Sequence, residues 1–338
     1  MTRLWTDGFE FQDLYGYCSG GVWASASTVQ KRSGNASAKI LNSGPTATGF
    51  INFSFDAVDE FYLRVGLYVD TTKDWPQIIW YSGVTEVGYI HFTTCNKVIA
   101  VATGIGQVGT GTTSLFESVW YLIEIHVKLN ATTGVMQVKI DGKSTLEIDY
   151  TGNTGSGTVD TIEFFIGYGG LGEIQSAYID DIALNDTAGG VDDSWPGEGK
   201  IIVMMPNDDS TPLELTPSAA SDHHLLVDEV PSDNDTTYVE GSVIDEEDMY
   251  NLTPSGLVDV DINRVWPESR TRKTTAIDGK VALITKAAGG AEVSGGDREL
   301  LTTYSLKILG TEELENPVDS NPWEVADIDL IEIGPRTR

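Results

Sequence analysis

Basic residues are scarce in this 338-residue sequence: 21 Lys and Arg stand against 51 Asp and Glu, a net charge of −30. Binding nucleic acid through phosphates needs clustered cationic side chains, so the charge argues against that class. The same acidic field disfavours an anionic membrane surface and favours solubility. Cysteine is nearly absent. Cys18 and Cys95 form no CxxC pair and belong to no Cys/His cluster, which removes a disulfide scaffold and a zinc finger. One disulfide across that long loop and two buried free thiols both stay open. No run of eighteen apolar residues occurs, and the opening MTRLWTDGFEF has no apolar core of a signal peptide. Neither a membrane span nor secretory targeting is expected.

Long amphipathic helices are missing too, and turn residues take their place. Gly, Thr, Ser, Asn and Asp punctuate the chain about every eight to twelve residues, with alternating apolar and polar stretches between. The clearest strands are FINFSF (50–55), EFYLRVGLYVD (60–70), QIIWYS (77–82), VGYIHFTT (87–94), VIAVAT (98–103), WYLIEIHVKLN (120–130), VMQVKID (135–141), STLEIDY (144–150) and VDTIEFFIGY (159–168). The fold class is all-β: two β-sandwich (jelly-roll) domains in series, over 1–187 and 200–338. The Gly- and Asp-rich stretch at 188–199 is the expected linker. Through residue 187, 10 Lys and Arg face 20 Asp and Glu; after it, 11 face 31, so the second domain is the more acidic. There, strands are expected at 201–206, 256–266, 280–287, 302–309 and 328–334, and short helical turns at 244–252 and 322–328.

Residues 120–144, WYLIEIHVKLNATTGVMQVKIDGKS, read as two long strands joined by a tight turn and closed by an Asp-Gly turn. The pattern resembles the central hairpin of laminin-G-like and concanavalin A-like jelly rolls, with Trp120, Thr133, Gly134, Asp141 and Gly142 in the characteristic places. DGFEF (7–11), GNASAKI (34–40) and AYIDDIAL (177–184) resemble the first, following and closing strands of such folds. The resemblance implies that the first and last strands lie side by side. Over the whole chain, DGFE, YIDDIALND, SWPGEGKIIVMMPN, VDEVPSDNDTTYVEG and NPVDSNPWEVADIDLIEIG resemble, in this order, virion structural proteins of tailed bacteriophages. These segments carry turn and edge chemistry rather than catalytic chemistry.

Alternation along AYIDDIALND puts Asp180 and Asp181 on opposite faces of an apolar strand, so at least one meets a packed interior. Calcium held by Glu10, Asp180 and Asp181 would compensate it, a ligand set that the carbohydrate-binding jelly rolls imply; hydrogen bonds from backbone N–H groups are the other solution. Trp75, Trp80, Tyr81 and Tyr168 are candidates for a concave face that stacks sugar rings, with core packing as the alternative. A glycosidase needs two flanking carboxylates. The nearest approach, Glu147-Ile148-Asp149, lacks the third carboxylate of the concanavalin-like hydrolases, as does Glu246/Asp248. His91 and His126 alternate with apolar residues within strands. His223 and His224 stand beside Asp222, Asp228 and Glu229, yet adjacent histidines splay apart. Asp233-Asn234-Asp235 lacks the Gly of a calcium loop, since Tyr238 holds its place. Gly104, Gly106 and Gly109 match GxGxxG but open no helix, so 104–113 is expected to be a loop.

No nucleophile, acid/base pair or cofactor motif emerges. The expectation is a non-enzymatic virion structural protein on the surface of head, neck or tail, docking to other virion proteins as a symmetric homo-oligomer. The alternative is a lectin-like receptor-binding module for host surface glycans, with or without Ca2+.

Overall fold

The computed structural model describes the chain apart from residues 1–2, 15–17, 20–22, 43–48, 71–75, 93–96, 167–174, 276–277, 289, 291 and 309–312. The chain divides into two compact units, Met1–Ile202 and Val203–Arg338.

The first unit is built from β1 (Arg3–Asp7), β2 (Cys18–Ser19), β3 (Ala24–Ser27), β4 (Ser37–Asn42), β5 (Gly49–Val58), β6 (Glu60–Val69), β7 (Pro76–Ser82), β8 (Thr85–Phe92), β9 (Val98–Ala102), β10 (Gly106–Thr110), β11 (Trp120–Lys128), β12 (Gly134–Ile140), β13 (Ile148–Gly152), β14 (Val159–Ile166) and β15 (Gln175–Asn185). They form two antiparallel sheets. One runs β13-β12-β11-β6-β15-β4-β3, with β1 also on β15; the other runs β10-β9-β8-β7-β14-β5-β2. Alternate residues of the two sheets meet in one core that includes Phe53, Phe61, Leu63, Trp80, Ile90, Ile125, Val138 and Phe164. Period-two patterning decides this architecture, because each strand has one apolar face to bury. The first and last strands pair, with Asp7 opposite Ile182. The strand itself is Arg3–Asp7, whereas Phe9, at φ 58°, turns out of it into the core.

The expected hairpin is present, with Ile125 opposite Val138. Its closing turn puts Asp141 (φ 54°) and Gly142 (φ 62°) in the left-handed region, and Asp141 accepts the Leu122 N–H at 2.9 Å. The Gly-rich stretch expected as a loop holds a strand instead. Residues Gly106–Thr110 pair with β9 at the sheet edge, where an already ordered neighbour overrides weak intrinsic preference.

The second unit contains β16 (Pro206–Leu213), β17 (Thr216–Pro217), a 3-10 turn His223–Leu226, β18 (Val239–Glu240), β19 (Asp248–Leu252), β20 (Glu268–Thr271), β21 (Lys280–Lys286), β22 (Glu292–Ser294), β23 (Arg298–Glu299), β24 (Ser305–Ile308), α1 (Val325–Ile328) and β25 (Glu332–Thr337). One antiparallel sheet runs β16-β19-β25-β21-β22, with β23 on β21; β17-β18 and β20-β24 form two ribbons. Three expectations fail here: the strand expected at 201–206 is absent over 201–205, with β16 opening at Pro206, and two further segments differ. Residues 244–252 were expected as a helical turn, but Asp248–Leu252 is a strand held between β16 and β25. Residues 256–266 were expected as a strand and instead make isolated bridges, Ile262 to Trp323 and Val265 to Glu313. The turn at 322–328 is α1, opened by a capping box between Glu324 and Asp327.

Candidate functional site

The acidic pair of β15 lies at a β-bulge. Residues 175–179 pair with β4 and 182–185 with β1, and the register on β6 slips between Asp180 and Ala183. Asp181 takes φ 50°, so both side chains are fully buried instead of straddling the sheet. Neighbouring backbone answers them. Asp180 accepts N–H bonds from Arg32 (2.8 Å) and Ser33 (3.2 Å) on one oxygen and from Asp181 (2.8 Å) on the other. Asp181 accepts the Ser33 hydroxyl and the Ile201 N–H, both at 2.7 Å, and pairs with Arg32 Nη1 at 2.7 Å. Glu10 accepts the Asn35 N–H at 2.6 Å, while its Oε1 is buried with no partner among the described residues.

This donor set does not fit calcium. Five of the six carboxylate oxygens already accept N–H or O–H groups, and a guanidinium occupies the side of Asp181 where a cation would stand. Calcium requires six to eight oxygen ligands and repels N–H donors. Among the described residues, no group of three His, Cys, Asp or Glu side chains is arranged to hold a metal. The structure thus brings Glu10, Asp180 and Asp181 together and assigns their charge to Arg32 and backbone amides. Sequence reading missed Arg32, Ser33 and Ile201, because no local pattern ties residue 32 to residue 181. Burial pushes the Glu10 carboxyl up to about 7, and burial together with the charge of Asp181 pushes Asp180 up as well.

The same cluster holds down part of the segment expected as linker. Arg32 Nη1 also reaches the Gly199 carbonyl at 2.8 Å, Arg64 reaches the Gly197 carbonyl at 3.3 Å, and Glu124 accepts the Gly197 N–H at 2.8 Å. Trp195 lies edge-on to the Tyr62 and His126 rings, with Lys139 Nζ 3.9 Å over its face. Residues 195–201 therefore strap the outer face of the β11-β6-β15 sheet.

The aromatic candidates separate. Trp75 and Tyr168 lie outside the described residues. Trp80 is fully buried, edge-on to Phe61 and against Gly88, so the core takes both faces of its ring and none remains to stack a sugar. Tyr81, one position on, faces outward by the parity of β7. Its hydroxyl donates to Glu163 at 3.1 Å, and burial with that carboxylate pushes its pKa up to about 12.

Around Tyr81 the register builds a grid on the outer face of the second sheet. One row runs Phe50, Phe165, Gln77, His91, Ile99; the next runs Asn52, Glu163, Ile79, Tyr89, Val101; the third runs Ser54, Thr161, Tyr81, Glu86. Phe50, Phe165, Tyr81, Tyr89 and His91 are half-buried. Asn52 reaches Glu163 at 3.3 Å, and the Tyr89 and His91 rings meet edge-to-face at 5.7 Å. Burial lowers the His91 pKa, which favours the neutral imidazole. The three rows thus hold two carboxylates, Glu163 beside Tyr81 and Glu86, which accepts the Thr103 hydroxyl at 2.7 Å and whose charge also raises the Tyr81 pKa. Period-two alternation reveals the outward parity of each strand, but the register that aligns five strands is invisible in sequence.

The other candidates are engaged elsewhere. Glu147 accepts the Thr112 and Thr113 N–H groups at 2.8 and 3.0 Å, and Asp149 accepts Gln137 at 2.8 Å. His126 sits between Gln137 (3.0 Å) and Glu60 (2.9 Å). His223 pairs with fully buried Asp248 at 2.7 Å and His224 with Asp209 at 3.0 Å, each through Nδ1. Asp235 pairs with Arg272 at 2.6 Å and Tyr304 at 2.9 Å.

No protein-family model and no curated protein matches the sequence. Similar solved structures include a sialidase, with 14% identity over 55% of this chain and TM-score 0.42, where the match spans 19% of the sialidase chain. The cellulose induced protein Cip1 is 14% identical over 58% of this chain and 100% of its own, with TM-score 0.44. Lectin II from Ulex europaeus is 10% identical over 54% of this chain and 97% of its own, with TM-score 0.40.

Proposed function

We propose that the chain is a non-enzymatic structural protein on the surface of a tailed-bacteriophage particle, with its first unit a glycan-contacting module. One observation carries the glycan reading: the outer face of β5, β14, β7, β8 and β9 sets half-buried aromatic rings beside a short polar network. A pyranose presents an apolar C–H face and a rim of hydroxyls. Phe50, Phe165 and Tyr89 supply planar apolar surface for the first. Gln77, Asn52, Glu163 and the Tyr81 hydroxyl supply donors and acceptors for the second.

The non-enzymatic part rests on carboxylate chemistry. Glycoside hydrolysis uses a pair of carboxyl groups flanking the scissile bond, whereas the two on this face are already engaged, Glu163 with Tyr81 and Asn52 and Glu86 with the Thr103 hydroxyl. The virion setting rests on the ordered sequence segments that resemble phage structural proteins. A glycan array probed with the full chain tests the ligand, and mass spectrometry of purified particles tests the setting. The reading expects one sugar class to bind wild type, with at least a tenfold loss, about 1.4 kcal/mol, in a Tyr89→Ala/Phe165→Ala variant of unchanged stability. Binding that this pair of changes leaves intact would place the ligand elsewhere.

A further inference from the structure

The second unit carries a surface that the glycan reading does not use. Residues 255–265 run beside 313–330 and are tied to them at three points. The Ser255 N–H donates to Asp329 at 2.7 Å, Ile262 bridges Trp323, and Val265 bridges Glu313. The Trp323 indole closes the ribbon from within, donating to the Glu313 carbonyl at 3.1 Å. Along its outside lie Val258 (74% exposed), Val260, Leu314, Val318 and Leu330 (64% exposed).

Charge on this ribbon is of nearly one sign. Asp259, Asp261, Glu315, Asp319, Glu324 and Asp329 are exposed on it, and the one Lys or Arg in either segment is Arg264. The asymmetry extends beyond the ribbon, because no Lys or Arg occurs from residue 201 to 263. Exposed apolar side chains interleaved with uncompensated carboxylates do not suit a second copy of this chain, which would bring the same charges to the contact. They suit a partner of opposite sign. Among the described residues the unit's buried apolar side chains form only small clusters, such as that of Ala287, Trp323, Ile328 and Ile331, so covering the ribbon adds apolar burial to the unit.

We infer that the ribbon of residues 255–265 and 313–330 is a docking surface for a basic protein segment with an apolar face. The valines and leucines supply contact area, and the acids around them steer and select a cationic partner. The ribbon shares no residue with the grid of the first unit.

The test uses the full chain and a fluorescent peptide of alternating Lys and Leu, read by anisotropy. A Lys-Ser peptide of equal charge and a Val84→Ser variant, at an exposed site of the first unit, are the controls. The inference predicts that the Lys-Leu peptide binds and loses at least tenfold in affinity between low salt and about 0.5 M salt. A Val258→Ser/Val260→Ser/Leu330→Ser variant loses at least a further fivefold at fixed salt, while Val84→Ser and the Lys-Ser peptide show no such step. Equal binding by the triple variant and wild type would mean charge alone is read and would overturn the inference. So would absence of Lys-Leu binding, or sedimentation showing that wild type self-associates and the triple variant does not.

Discussion

At the scale of single residues, the bulge cluster sets the sharpest expectations. Glu10 is raised from 4.5 to about 7, so between those values the folded chain holds a proton that the unfolded chain has released. Its stabilising contribution is complete below pH 4.5 and disappears as pH rises through 7, the reverse of a salt-bridged carboxylate. Urea midpoints measured from pH 4.5 to 8 are expected to fall, with Glu10 contributing an amount equivalent to about 2 kcal/mol and Asp180, also raised, adding to the slope, so that Glu10→Gln should make the slope shallower without abolishing it. A midpoint rising over this range would mean that Glu10 is ionised and paired. Arg32→Ala leaves Asp181 buried without its cation and should cost about 3 kcal/mol in the same assay. Arg32→Lys recovers little, because an ammonium cannot fork as the guanidinium does, with Nη1 on Asp181 and Nη2 on Glu198. The sequence made the acidic pair conspicuous and implied a compensated burial. It did not reveal the compensating group, since a bulge shifts the parity on which the two-faced reading of Asp180 and Asp181 depended, and Arg32 is distant in the chain.

Among the strands, legibility follows the strength of alternation. β6, β7, β11, β12 and β14 pattern strongly and stand where their side-chain periodicity put them. β10 and β19 do not, because a Gly-rich edge and an acidic segment become strands only through their neighbours. Parity also sorts the aromatic residues of β7, since Trp80 and Tyr81 look alike in sequence yet face opposite ways. Trp80→Ala should therefore cost about 3–5 kcal/mol by opening a core cavity. Tyr81→Phe, which removes one half-exposed hydroxyl, should change stability by under about 1 kcal/mol and act on ligand affinity instead. Thermal denaturation of the two variants separates these roles, and a Trp80→Ala protein as stable as wild type would return that ring to the list of surface residues.

For the whole molecule, the account divides labour between two units of different chemistry: a sandwich with one continuous core and an aromatic outer face, and a more acidic unit with a one-sign ribbon. Neither role was readable from the sequence, whose alternation and turn spacing pointed to the all-β class without locating a surface. The central claim is that the outer face of the second sheet binds sugar and does not turn it over. Calorimetric titration of the array-selected glycan into the full chain, with a reducing-end assay on the same samples, tests it most directly. The account predicts saturable heat in wild type, at least a tenfold weaker fit in Tyr89→Ala/Phe165→Ala, and no new reducing ends in either. New reducing ends from wild type, or equal heats from the two proteins, would contradict it.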